Sequence, residues 1–76
     1  MEFLYLCPMS QKDKDILFFI AFCCENYKNK HNLTGAETSA LFEEHKINQY
    51  LAKNYEVLHT QSMPWILEDI EERIGV

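Results

Sequence analysis

Polar breaks divide the apolar positions of this chain into separate blocks, and most of the blocks repeat with the period of a helix. The clearest is the last: Met63, Ile66, Leu67, Ile70 and Ile74 stand at offsets 0, 3, 4, 7 and 11, with Glu68, Asp69, Glu71 and Glu72 on other faces. Ser62 is placed to cap this helix. Pro64 falls in its first turn, where a missing N–H does no harm, and Gly75 can close its far end.

The first long block predicts a helix that begins near Ser10 or Gln11, with Ser10 or Asp13 as its cap, and runs to about Lys30. Ile16, Phe19, Ile20, Cys23 and Tyr27 form one stripe at i, i+3, i+4, i+7 and i+11, while Leu17, Phe18 and Phe22 lie off it. The middle of this helix is therefore apolar almost all round. Two arrangements account for that: the other helices wrap it as a central core helix, or part of it is exposed as a docking or dimer face with Trp65 and Tyr27 at its edge.

A break at Asn32 precedes Thr34 and Glu37, which have the spacing of a capping box and start a second helix carrying Leu41 and Phe42 inward to about His45 or Lys46. Ile47, Tyr50 and Leu51 predict a short third helix ended by Asn54 in a left-handed conformation. Tyr55 to Thr60 then reads as extended or loop. Phe3-Leu4-Tyr5-Leu6 reads either as a short strand paired with Tyr55 to Leu58 or as coil capping the bundle. The expected fold is all-α, a small bundle of three to four helices, with a minor two-stranded β element as the open alternative.

Composition narrows the class. The 76 residues are 47% apolar and 25% charged, with only two Gly and two Pro and no repeat or linker, so residues 1–76 are expected to form one small domain. Such a domain buries only about 60% of the surface its unfolded chain exposes, which leaves its stability marginal unless a partner contributes. The longest apolar run, Ile16 to Cys24, has nine residues, whereas a membrane span needs about 20. No membrane association is expected. The N-terminus lacks the basic region and small-residue cleavage site of a secretory signal, and three cysteines, two of them adjacent, do not suggest a disulfide framework. Both point to the cytoplasm.

Chemistry is sparse. Cys7, Cys23, Cys24, His31, His45 and His59 do not fall in the paired spacing of a zinc site, and Cys23 and Cys24 sit among phenylalanines, which suppress thiolate formation. No nucleotide-binding or hydrolase motif occurs. The expectation is a protein that is not an enzyme, with no catalytic residue, no metal ligand and no cofactor. Two short helices around a tight connection, Leu33 to Leu51, suggest a helix-turn-helix DNA-binding regulator as the alternative reading. Against it, the net charge is -5 and no arginine precedes Arg73, whereas affinity for nucleic acid rests on phosphate contacts from a basic surface.

The leading reading is a protein-protein interaction module, with a homodimer as one form of it. The residues assigned to partner binding are Phe18, Phe22, Tyr27, Tyr55, His59 and Trp65, with Glu68 and Glu72 as an acidic surface that is either simply solvated or meets a basic partner. His59 has two readings: it fixes the chain between the third and last helices by bonds to backbone, or it joins Tyr55 and Trp65 in a binding notch.

Asp15-Ile16-Leu17, Tyr27 with His31-Asn32-Leu33-Thr34-Gly35, Leu41-Phe42, Tyr50-Leu51, Tyr55 to Gln61 and Ile66-x-x-Asp69-Ile70-Glu71 together resemble a bacterial family of short proteins labelled domain of unknown function 3791. The resemblance covers about Asp13 to Ile74. It implies a place beside proteins with an ADP-ribosyltransferase-like domain, and with it an antitoxin-like or accessory-subunit role. It brings no catalytic residue to carry over.

Overall fold

The structure is a computed structural model that describes residues 10–75. Five helices follow one another: α1 (Gln11–His31), α2 (Gly35–Glu44), α3 (Ile47–Lys53), α4 (Tyr55–Leu58) and α5 (Met63–Ile74). No strand occurs among the described residues. Phe3 to Leu6, one half of the β alternative, lies outside them.

Ser10 and Asp13, offered by the sequence as rival caps, are the two halves of one capping box. The Ser10 Oγ accepts from the Asp13 N–H at 3.1 Å, and the Asp13 carboxylate accepts from the Ser10 N–H at 3.4 Å. At the other end of α1, Asn32 takes the left-handed conformation (φ 55°) and the Leu33 N–H reaches back five residues to the Lys28 carbonyl, a Schellman ending. The predicted Thr34–Glu37 box opens α2, with reciprocal bonds of 3.1 and 2.8 Å. Ser62 caps α5, Pro64 lies in its first turn, and Gly75 closes it at φ 94°.

Two expectations are corrected between α2 and α5. Asn54 is not left-handed (φ -108°): its carbonyl accepts from the Leu58 N–H and its side-chain amide donates to the Tyr50 carbonyl, so it joins α3 directly to the next helical turn. Tyr55 to Leu58 is accordingly helical, not extended, because Leu58 must turn inward to reach the core, where it is 2% exposed. The left-handed residue of this region is Lys46 (φ 56°), in the tight connection between α2 and α3.

The core is formed by Cys23 and Tyr27 of α1, Phe42 of α2, Ile47 and Leu51 of α3, Leu58 of α4, and Ile66, Leu67 and Ile70 of α5. Among the described residues Thr38 is the buried polar one, and its hydroxyl donates to the Thr34 carbonyl at 3.0 Å. Helices α2, α3 and α5 all pack against α1. The molecule measures 44 × 27 × 18 Å, and its shortest dimension accommodates only about two layers of helix of ~10 Å diameter. A helix in one of two layers has an outer side, so among the described residues α1 is both the element the others pack on and a helix with one long face uncovered.

Candidate functional site: the outer face of α1

The helical period sorts the apolar residues of α1 onto two sides. Cys23 and Tyr27 are buried and Ile16, Phe19 and Ile20 half-buried, whereas Leu17, Phe18 and Phe22, the residues off the stripe, are 53%, 76% and 59% exposed. Lys14, Ala21 and Glu25 share that exposed side. Phe18 and Phe22, one turn apart, make a ridge with a groove on each flank. One groove is lined by Lys14, Leu17, Phe18 and Ala21. The other is lined by Asp15, Phe18, Phe19, Phe22, Tyr55 and His59.

Helix α4 supplies the far wall of the second groove. The His59 ring stacks on Tyr55 (centroids 4.4 Å apart, 12° between planes), its Nδ1 lies 2.7 Å from the Tyr55 carbonyl oxygen, and Tyr55 in turn meets Phe19 edge-on at 5.4 Å. His59 thus makes the backbone bond of its structural reading and also lines the groove. Lys12 Nζ and Glu56 Oε2, 2.6 Å apart, tie α4 to the first turn of α1. The hydrogen bond between them raises the Lys12 ammonium above its ordinary pKa and lowers the Glu56 carboxyl.

The structure brings together Phe18, Phe22, Tyr55 and His59, and places the other site candidates elsewhere. Tyr27, expected at the edge of the docking face, is in the core at 1% exposure. It lies one turn beyond Cys23 on the inward stripe, edge-on to Phe42 at 5.5 Å and stacked on His31 at 4.3 Å. Trp65 is 46% exposed, but it lines a separate surface on α5 with Glu68, Asp69 and Glu72 and not the notch with Tyr55 and His59.

Periodicity within single helices did not reveal the polar contacts that join elements. Glu71 Oε2 receives both Lys30 Nζ (2.8 Å) and His31 Nε2 (2.7 Å), pinning the end of α1 to α5. The hydrogen bond from Lys30 is the main reason the Glu71 carboxyl is held below its ordinary pKa, with His31 adding to it. Tyr50 donates its hydroxyl to Asp69 at 2.5 Å while the Arg73 guanidinium lies 3.4 Å from the centre of the Tyr50 ring. Asp69 and Arg73, spaced i, i+4 on α5, also pair with each other at 3.8 Å; the contact from α3 has no such local spacing to announce it. Exposed Val57 falls in the segment expected to be extended or loop, where no helical face singles it out.

Burial disfavours the thiolate form of both Cys23 and Cys24. Burial pushes the Cys23 thiol up to about 12, and burial also raises Cys24. Cys7 lies outside the described residues. Among the described residues, no three His, Cys, Asp or Glu side chains gather to hold a metal ion.

The model of the family described as protein of unknown function (DUF3791) matches residues 18–75. The chain belongs to that family. The DUF3791 match begins five residues later than the resemblance suggested and ends one later, so it takes in α2 to α5 and opens on Phe18 itself. No curated protein and no solved structure matches the chain.

Proposed function

We propose that this protein is a non-catalytic interaction module that docks another protein on the outer face of α1, with Phe18 and Phe22 as its anchors. The observation that carries the reading is the 76% exposure of Phe18, flanked by Leu17 and Phe22 at 53% and 59%. Burying a phenylalanine is worth about 1.5–3 kcal/mol, and aromatic anchors in a desolvated centre dominate binding energy at interfaces. Two such residues left in water make sense as energy held for association.

The polar residues around the ridge fit the same reading. Lys14, Asp15, Glu25 and His59 rim it, as polar groups rim the apolar centre of an interface. Glu68 and Glu72 form a second, acidic surface with Trp65 that suits steering of a basic partner. No described helix is long and apolar enough to cross a membrane. With Cys23 and Cys24 both free thiols, we place the protein in the cytoplasm. An antitoxin-like or accessory role beside an ADP-ribosyltransferase-like partner is one form of this function.

The helix-turn-helix alternative gains nothing from the α2–α3 surface. Exposed Glu43, Glu44 and Glu56 lie in the sequence around exposed Lys46 and Lys53, so that region offers phosphate little net positive charge.

The test is affinity capture from the native organism at endogenous level, comparing the wild type with Phe18→Glu and with Glu68→Lys/Glu72→Lys. The reading expects a defined partner lost with Phe18→Glu while the circular dichroism spectrum stays helical. Equal capture by wild type and Phe18→Glu, or salt-sensitive and sequence-selective binding to its own upstream DNA, overturns it.

A further inference from the structure

Resting on the docking reading above, we infer that the partner seated on the outer face of α1 is a second copy of this chain, packed antiparallel about a two-fold axis near the middle of Phe18–Phe22. Helix geometry carries the inference. At 100° per residue, Lys14, Phe18, Ala21, Phe22 and Glu25 fall within about a third of a turn, with Leu17 at its margin. A two-fold axis perpendicular to α1 between Phe19 and Ile20 relates the two ends of this face. It brings Phe18 of one copy over Ala21 and Phe22 of the other, Leu17 over Ala21, and Lys14 beside Glu25, each contact occurring twice. The face is therefore complementary to itself in both size and charge.

Size complementarity is that of ridges in grooves. The Phe18–Phe22 ridge borders a groove floored by Ala21 and walled by Lys14 and Leu17, and the small Ala21 side chain leaves room for the opposing phenyl ring. Charge complementarity sets the direction. The apolar stretch is bracketed by a cation on its N-terminal side and an anion on its C-terminal side, so antiparallel pairing sets opposite charges together, whereas parallel pairing sets Lys14 against Lys14 and Glu25 against Glu25. Glu25 lies 3.2 Å from Lys28 within its own copy and is 59% exposed on its side chain, which leaves it accessible to the second lysine. Of the remaining titratable groups at the face, Lys28 sits one turn beyond Glu25, and Asp15 and His59 lie on the flank of the ridge toward α4.

One helix face per copy gives an interface near the lower end of the size of specific complexes, about 1,200 Å² in total. Association is therefore followed across the micromolar range.

Sedimentation equilibrium of the full chain across that range tests the inference. The wild type is expected to pass from 9.0 kDa to twice that mass as concentration rises. Lys14→Glu and Glu25→Lys, which each set like charges together twice, should weaken association about tenfold or more. The double variant Lys14→Glu/Glu25→Lys should restore it, a rescue that binding to an unrelated protein would not produce. Phe18→Glu should leave a folded monomer. A wild type that stays monomeric overturns the inference, including the case in which residues 1–9 of the same copy cover Phe18; so does a double variant as weak as either single one. If the wild type is monomeric and Phe18→Glu still abolishes partner capture, only the two-copy inference falls. If Phe18→Glu changes neither, the docking reading falls with it.

Discussion

Lys46 holds a conformation that an L side chain with a Cβ adopts at a cost of about 1–2 kcal/mol. It does so because only two residues join α2 to α3 while both Phe42 and Ile47 must remain buried. Glycine there would relieve the strain but lose more chain entropy on folding, so Lys46→Gly is expected to stabilise the fold by about 0.5–1 kcal/mol in urea denaturation. Nothing in the composition marked Lys46 for this role. Asn54 has the residue type favoured at such positions and was expected to fill it, whereas its side chain is occupied with the Tyr50 carbonyl. The hydroxyl of Tyr50 is a comparable single-atom contribution. Tyr50→Phe removes the bond to Asp69 but leaves the ring under Arg73, and should cost about 1.5–3 kcal/mol as a hydrogen bond to a charged group, read by the same denaturation.

Helix ends and helix faces were readable because their causes are local. A Thr34–Glu37 spacing or a Ser62–Pro64 start acts within one turn, so the residues that produce the structure are adjacent in the chain. The two sides of α1 were readable for the same reason: the 3.6-residue period separates Cys23 and Tyr27 from Leu17, Phe18 and Phe22 whatever packs against them. What packs against them is not local. Tyr27 looks like an edge residue until Phe42 and His31 are seen on its ring, and Tyr55 to Leu58 looks extended until Leu58 is seen in the core. The α1–α5 clasp likewise joins residues forty positions apart.

That clasp gives a pH dependence whose sign follows from Glu71. Its carboxyl has a lower pKa folded than unfolded, so the folded state binds fewer protons, and the contribution is present above the ordinary carboxylate pKa and lost as pH falls through the folded value. Thermal unfolding of Glu71→Gln should therefore lie below wild type at neutral pH, and the gap should close in acid. A gap that persists unchanged below the carboxylate range would place the effect elsewhere.

Among the described residues, two layers of helices bury a core of nine apolar side chains and leave three large ones on the outside of α1. A 76-residue domain has little stability in reserve, and Leu17, Phe18 and Phe22 do not add to it while they face water. This division between residues that hold the fold and residues held for a partner distinguishes the account from one in which α1 is simply a core helix. It is tested by the unfolding free energy of Phe18→Ser in dilute solution, set beside Phe42→Ala. Phe18→Ser is expected to stay within about 0.5 kcal/mol of wild type, while Phe42→Ala loses about 3–5 kcal/mol. A loss at Phe18 comparable to that at Phe42 would mean that Phe18 is spent on folding, and would contradict it.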